Sequence, residues 1–148
     1  MAMKRILIAT DGSESADRAI DFAAALAQNL CAELVIVNIC TFSDLSDMRD
    51  YDELARVEHT TVGELLTSFS NRVLENASDR ARNLGVTALQ MQSGHGDAAH
   101  AILEIAERVN ASSIIVGKRG RGRWASMVLG SVSQKLVNLA PQAVIVVP

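Results

Sequence analysis

The chain has 148 residues, and its 14 Lys and Arg against 17 Asp and Glu give a formal net charge of −3. This length predicts a single domain over residues 1–148, with a core that needs no disulfide staples. Apolar residues make up 49% and charged residues 21%, which excludes a disordered chain and a collagen-like or coiled-coil fibre. The mild acidity argues against a protein whose whole surface binds nucleic acid or anionic membrane.

Five short apolar runs rich in β-branched residues predict strands. In chain order they extend from Arg5 to Thr10, Leu34 to Ile39, Val86 to Gln92, Ser113 to Gly117 and Ala143 to Val147. Between them, apolar residues recur at i, i+3, i+4 and i+7, which predicts four helices that each bury one face. These helical sets begin at Ala16, Val62, Ala98 and Val132. The alternation predicts an α/β fold whose parallel sheet is covered by helices on both faces.

Residues at the ends of the predicted helices agree with this assignment. Ser13 or Ser15 can cap the first helix. Asn83-Leu84-Gly85 is typical of a helix that ends at a left-handed glycine, and Pro141 stops the last helix. Helix boundaries are therefore predicted by the same residues that separate the apolar runs.

Membrane and export signals are not evident in the sequence. No uninterrupted apolar run approaches the roughly 18 to 20 residues that a spanning helix needs. The run from Ile6 to Thr10 ends at Asp11, so it is too short for the core of a secretory signal. We therefore expect a cytoplasmic protein without a membrane span.

The two cysteines, Cys31 and Cys40, flank the second predicted strand. At about 3.3 Å per residue an extended segment holds them roughly 30 Å apart, far beyond disulfide reach. We interpret both as small, buried or half-buried apolar residues rather than as redox or metal ligands.

A glycine-rich segment between the fourth strand and the last helix points to an anion site. It contains Gly117-Lys118-Arg119-Gly120 and, nine residues later, Gly130-Ser131-Val132-Ser133. A helix N-terminus offers unpaired N–H groups and a positive dipole end to phosphate, and Ser131 and Ser133 can add hydroxyl donors. The alternative is a glycine turn with serine caps. A Walker A loop is excluded because Lys118 is followed by Arg119.

A second polar signal, Thr10-Asp11-Gly12-Ser13, follows the first strand. A carboxylate there can accept a hydrogen bond from a sugar hydroxyl, hold a metal or begin a turn. A phosphoryl-transfer site of the haloacid dehalogenase kind would want a second aspartate where Ser13 stands. The loops after the first and fourth strands would flank one crevice if the strand order reverses between them.

These motifs together resemble the universal stress protein family. The resemblance rests on the spacing Gly117, two residues, Gly120, nine residues, Gly130-Ser131, on the opening from Ile6 to Ser15, and on the ending from Gly130 to Val147. It implies an open, Rossmann-like five-stranded parallel sheet ordered 3-2-1-4-5, similar to that of the adenine nucleotide alpha hydrolases. It also implies homodimerisation through the last strand, Ala143 to Val147, and an ATP-binding regulatory role in stress responses.

The resemblance also implies roles for particular residues. Asp11 would meet the ribose or adenine, Thr10 and Ile39 would line the base pocket, and Gly117 would approach the ribose. The phosphates would be held by Gly120, Gly130, Ser131, Val132 and Ser133, with Mg²⁺ or Mn²⁺ on the phosphates rather than in a protein cage.

The chain departs from the family pattern at three places. Asn38 stands where many members have His, a change expected to alter packing near the adenine. Gly94-His95-Gly96 and Ala111-Ser112 differ from the usual Gly-x-Pro and Ala-Asp. None of these lies in the glycine-rich segment.

Basic residues cluster at Lys118, Arg119, Arg121 and Arg123. They are interpreted either as a solvated loop or as groups that neutralise phosphate. RNA contact with Trp124 as a stacking platform is weakly supported, because a basic patch without further aromatic residues is poor evidence for it. Nucleic acid is not an expected partner.

Two other functions remain open on the sequence. The first is a slow ATPase or nucleotidyl-transfer enzyme that uses Asp11 and His95, the one candidate general base. Without an activated nucleophile or paired carboxylates, the sequence predicts at most slow hydrolysis. The second is a nucleotide-independent interaction module that docks a client protein on the acidic segment from Asp44 to Glu53.

Overall fold

The protein is described by a computed structural model that covers residues 3–41, 61–120 and 129–148. Strands and helices alternate in these ranges. The strands are β1 (Arg5–Ala9), β2 (Glu33–Cys40), β3 (Leu89–His95), β4 (Ser113–Gly117) and β5 (Ala143–Val147). The helices are α1 (Glu14–Leu30), α2 (Val62–Asn83), α3 (Ala98–Arg108) and α4 (Ser131–Leu139).

The strands form one parallel sheet in the order β3-β2-β1-β4-β5, which confirms the predicted fold class and order. Ala9 lies level with Val37 of β2 on one side and with Val116 of β4 on the other. The chain winds outward from β1 to β3 and then returns to β4 on the opposite side of β1. This reversal places the carboxyl ends of β1 and β4 beside each other, where open α/β sheets bind ligands.

Alternating side chains of the sheet build a hydrophobic core on each face. Ile6, Ile8 and Ile36 pack with the apolar residues of α1 and α2. Leu7 and Val35 point the other way and pack beneath α3 and α4. Because both faces are covered, the central strands contain continuous apolar runs, at 6–9, 34–37 and 114–116, as the sequence predicts.

The third strand begins later than predicted. Val86 is buried, and its N–H donates to the Ala81 carbonyl at 3.1 Å, so this residue closes the end of α2 instead of pairing in the sheet. Gly85 makes this turn possible with a φ of +99°, as predicted for a left-handed glycine. As a result, β3 is displaced along the chain and ends at His95.

Helix α1 begins and ends at residues with clear local roles. Ser13 is its N-cap, and the Ser13 hydroxyl accepts the Ala16 N–H at 3.2 Å, so the cap is Ser13 and not Ser15. Cys31 ends the helix in the left-handed conformation with φ 49°. Cys31 is exposed, which contradicts the prediction that it is at least half-buried, whereas Cys40 is buried, and neither cysteine forms a disulfide.

No helix within the described ranges is long and apolar enough to cross a membrane. The cytoplasmic location and the single-domain organisation stay predictions. The acidic segment from Asp44 to Glu53 and the residues Arg121, Arg123 and Trp124 lie outside the described residues.

Candidate functional site

The turn after β1 is held by its own side chains. The Thr10 N–H still pairs with the Val37 carbonyl at 2.8 Å. Beyond it, Gly12 adopts φ +79° and donates its N–H to Thr10 Oγ1 at 3.2 Å. The Ser13 N–H donates to Asp11 Oδ1 at 2.9 Å. This Asx-type turn fixes one carboxylate oxygen of Asp11 at the start of α1.

A buried polar chain supports this turn from below. Asn38 donates from Nδ2 to the Thr10 carbonyl at 2.8 Å, and the Ser70 hydroxyl of α2 donates to Asn38 Oδ1 at 2.8 Å. Asn38 and Ser70 are each only 2% exposed. Sequence reasoning singled out Asn38 only as a departure near the adenine and missed Ser70. The available signal was a serine on the buried face of a helix.

Both ends of the glycine-rich segment are held at Lys118, directly after β4. The Lys118 N–H donates to the Val147 carbonyl at 2.7 Å, and the Gly130 N–H donates to the Lys118 carbonyl at 2.8 Å. Gly117 lies against α1, where an added Cβ would come within 2.6 Å of Ser15 Oγ. Ser15 does not cap α1, but its hydroxyl oxygen accepts a hydrogen bond from the Arg119 N–H at 3.4 Å.

The two predicted loops meet at Asp11 and Gly120. A Cβ added to Gly120 would come within 2.7 Å of Asp11 Oδ2. Asp11 therefore lies against the backbone of the glycine-rich segment, with Oδ1 bound to the Ser13 N–H and Oδ2 at the crevice. The expectation that the loops after β1 and β4 flank one crevice agrees with this contact.

Helix α4 presents its N-terminus to the same place. Its N-cap, Gly130, makes no side-chain capping bond, and no acidic residue lies in the first turn. The first-turn N–H groups of Ser131, Val132 and Ser133 have no acceptor within the helix. Ser133 is buried and already donates its hydroxyl proton to the Gly117 carbonyl at 2.7 Å. The prediction that its hydroxyl is a spare donor is therefore wrong, and its N–H remains.

Ile39 lies where the predicted base pocket would begin. Continuing the register of Ala9 and Val37 places Ile39 level with Asp11. The Ile39 side chain belongs to the core beneath α3, and an added Cβ on Gly94 would meet Ile39 Cδ1 at 3.0 Å. Ile39 is therefore a core residue level with Asp11, and Gly94 leaves room for its side chain.

His95 is not part of this crevice. It lies level with Cys40 on the outermost strand, so β2 separates it from β1. At about 4.8 Å per strand, two strand spacings put it roughly 10 Å from the end of β1. It is exposed and lines a depression with residues of the first turns of α2, including Glu64 and Thr67. The strand order therefore does not support the alternative in which Asp11 and His95 act together.

A charged cluster joins α3 to α4. Asp97 caps α3 by accepting the His100 N–H at 3.2 Å, and its carboxylate also lies 3.0 Å from His100 Nδ1 and 3.0 Å from Lys135 Nζ. Hydrogen bonds from His100 and then Lys135 hold the pKa of Asp97 well below its usual range. The side chains of the cluster are exposed, so water screens these interactions.

Acid sensitivity should follow from this cluster. Because the pKa of Asp97 is lower in the folded than in the unfolded state, its stabilisation is complete above the unfolded value of about 3.9 and is lost as pH falls below it. Lys135→Met removes one partner and should move the acid-unfolding midpoint, followed by circular dichroism, to higher pH. Lys4→Met removes the same charge from an exposed lysine that forms no ion pair with a described residue. An equal shift of the acid-unfolding midpoint in Lys135→Met and Lys4→Met would contradict the stabilising role assigned to the contact between Lys135 and Asp97.

Metal ligation by the protein has no candidate group in the described ranges. Among these residues no cluster of three or more His, Cys, Asp or Glu could hold a metal ion. Asp11, whose carboxylate lies against Gly120, is therefore not part of such a cluster.

Comparison with known proteins gives a consistent match. A model of the universal stress protein family matches residues 3–148. Universal stress protein YxiE of Bacillus subtilis (strain 168) is 32% identical over 151 residues, covering 97% of this chain and 97% of that protein. A solved universal stress protein in complex with cAMP is 26% identical with a TM-score of 0.69 and covers 99% of this chain and 98% of its own. The universal stress protein from Archaeoglobus fulgidus in complex with dAMP is 19% identical with a TM-score of 0.72 and covers 100% of both chains. The last likeness shows the fold alone.

Proposed function

The chain belongs to the universal stress protein family, and from this premise we propose that the crevice between β1 and β4 binds ATP as a regulatory signal in stress responses. The observation that carries the proposal is the contact of Asp11 with Gly120 beside the uncapped N-terminus of α4. A carboxylate and a set of N–H groups that have no acceptor within their own helix, at one crevice, suit a ligand with a hydroxyl-bearing sugar and phosphates. The relative in complex with cAMP supports an adenine nucleotide.

Each part of the nucleotide has a proposed place. Asp11 Oδ2 accepts a hydrogen bond from the ribose or the adenine, and Thr10 and Ile39 lie on the base side. Gly117 approaches the ribose. The phosphates meet the backbone of the glycine-rich segment and of the first turn of α4, at Gly120, Gly130, Ser131, Val132 and Ser133.

Charge balance at the phosphates comes from two sources in this proposal. A divalent cation, Mg²⁺ or Mn²⁺, is bound by phosphate oxygens, because Mg²⁺ in proteins is commonly held by substrate phosphates and few protein ligands. Lys118 and Arg119 leave the end of β4 beside Gly120 and add positive charge. Arg121 and Arg123 are proposed for the same role on sequence alone.

Efficient catalysis is not part of the proposal. The distance of His95 from the crevice leaves Asp11 without the general base that the ATPase or nucleotidyl-transfer alternative requires. Multiple-turnover release of phosphate that His95→Ala abolishes would restore that alternative. The client-docking alternative depends on residues outside the described ranges.

Nucleotide binding can be tested on the purified wild-type protein after mass spectrometry has shown that no nucleotide has copurified. We expect isothermal titration calorimetry to detect Mg-ATP, cAMP and dAMP. Mg-GTP is the control for the base, since it carries the same phosphates. Equal affinity for Mg-GTP would reduce the proposal to a phosphate site, and failure of every nucleotide to bind would favour the interaction module.

We also propose that β5 joins two copies of the chain. β5 is the outer strand beside β4, and its residues Val144 to Val147 are only half-buried. The Val147 carbonyl accepts from Lys118 on the β4 side, so the N–H and carbonyl of Val146 point away from the sheet. An edge of this kind pairs readily with another strand.

Disrupting that edge should give a monomer. Val146→Pro removes an outward N–H without removing a bond to β4, and it should shift the mass measured by sedimentation equilibrium from a dimer to one chain of 15.8 kDa. Val146→Thr keeps the N–H and a similar volume and should remain dimeric. A Val146→Pro dimer would overturn the assignment of this edge.

A further inference from the structure

We infer that Asn38 is a positioning residue that ties α2 to the Asp11 turn and thereby sets the affinity of the crevice. The inference rests on the proposed function and extends it to residues outside the crevice. It starts from the two hydrogen bonds that Asn38 makes, to the Thr10 carbonyl and from the Ser70 hydroxyl, each at 2.8 Å.

The chemistry of these partners fixes the orientation of the Asn38 amide. The Thr10 carbonyl can only accept, so the side-chain NH₂ of Asn38 must face it. Asn38 Oδ1 then faces Ser70, whose hydroxyl must donate. All three groups lie in the interior, where an unpaired polar atom is costly, so each bond depends on the other.

Asn38 completes the attachment of Thr10 to β2. The Thr10 N–H is bound to the Val37 carbonyl and the Thr10 carbonyl to the Asn38 side chain. The next residue is Asp11, so these two bonds set the direction in which its carboxylate leaves the sheet. The 2.7 Å between Asp11 Oδ2 and an added Cβ on Gly120 shows how little room there is for a different direction.

Ser70 extends this control to α2. It lies on the buried face of the helix, eight residues before Ser78, which is also buried and only 1% exposed. The Ser78 hydroxyl has no hydrogen-bond partner among the described residues. Both serines are buried on the same helix, but only Ser70 is bound to Asn38. Ser78→Ala is therefore a matched control for Ser70→Ala.

The test compares Ser70→Ala with Ser78→Ala in isothermal titration calorimetry with Mg-ATP. Ser70→Ala should weaken binding by about three- to tenfold, the range expected for one lost hydrogen bond. Ser78→Ala should bind like the wild type. Asn38→Asp retains the acceptor for Ser70 but sets an oxygen against the Thr10 carbonyl, and it should weaken binding further. Urea unfolding confirms that each variant is folded at the titration temperature.

A double-mutant cycle separates positioning from general loosening. If Ser70 acts through Asp11, then Ser70→Ala should have little further effect on affinity in an Asp11→Ala background. Additive losses would mean that Ser70 is merely structural and would overturn the inference. Equal affinities for Ser70→Ala and Ser78→Ala would overturn it while leaving the proposed function intact. A wild type that binds no nucleotide overturns both.

Discussion

Replacing Gly120 by valine should abolish binding of Mg-ATP without unfolding the protein. Gly120 is exposed, and the contact that an added Cβ would make within 3 Å is with Asp11 Oδ2, at 2.7 Å. A branched side chain would displace the carboxylate and fill the space where the loops after β1 and β4 meet. A ligand at 100 times its dissociation constant stabilises the native state by about 2.7 kcal/mol, and this stabilisation should disappear. Thermal unfolding with and without Mg-ATP measures it.

The control for this loss is Gly63→Val, the same substitution outside the crevice. A Cβ on Gly63 would meet nothing within 4 Å, and Gly63 has no role in the proposed binding of the nucleotide. Gly63→Val should therefore keep the full shift on adding Mg-ATP. A Gly120→Val protein that is stabilised like the wild type would show that the ligand lies elsewhere. Loss of the shift in Gly63→Val as well would show that the effect is not specific to the crevice.

The sheet was predictable because its signal is local. Ile6, Leu7 and Ile8 alternate between two covered faces, and a strand covered on both faces must be apolar at every position. The same argument wrongly predicted that β3 begins at Val86. An apolar β-branched residue after a glycine looks like the start of a strand, but tertiary packing places it over the end of α2.

Of the candidate site, only the two loops that form it were predictable. The glycine spacing and the Thr10-Asp11 pair indicated which loops meet, because glycines and turn residues are local features of the sequence. The bonds of Ser70 and Ser133 were not predictable, since each joins residues far apart in the chain and depends on which helix covers which strand. His95 was a candidate because its loop follows a strand, but alternation of strands and helices does not reveal the strand order, and β2 lies between β3 and β1.

The second large effect is expected at Gly117, on the stability of the fold. A Cβ there would lie 2.6 Å from Ser15 Oγ and 3.0 Å from both the carbonyl carbon and the carbonyl oxygen of Ser15. A side chain can rotate away, but the backbone of α1 cannot move without disturbing the core beneath it. Gly117→Ala should therefore lower the free energy of unfolding by about 1 to 3 kcal/mol, the usual range for overpacking. Urea unfolding measures this loss as a lower midpoint concentration of urea with an unchanged slope of free energy against urea.

Gly63→Ala is the matched change at an open position, because a Cβ on Gly63 meets nothing within 4 Å. Gly63 lies in the first turn of α2, and alanine in a helix is favoured over glycine by up to about 1 kcal/mol. The two Gly→Ala variants should thus move the midpoint in opposite directions. If Gly117→Ala were as stable as the wild type, α1 would have room to withdraw from β4. The glycine at the end of β4 would then be required by the ligand alone, and Gly117→Ala should fail in nucleotide binding while keeping its stability.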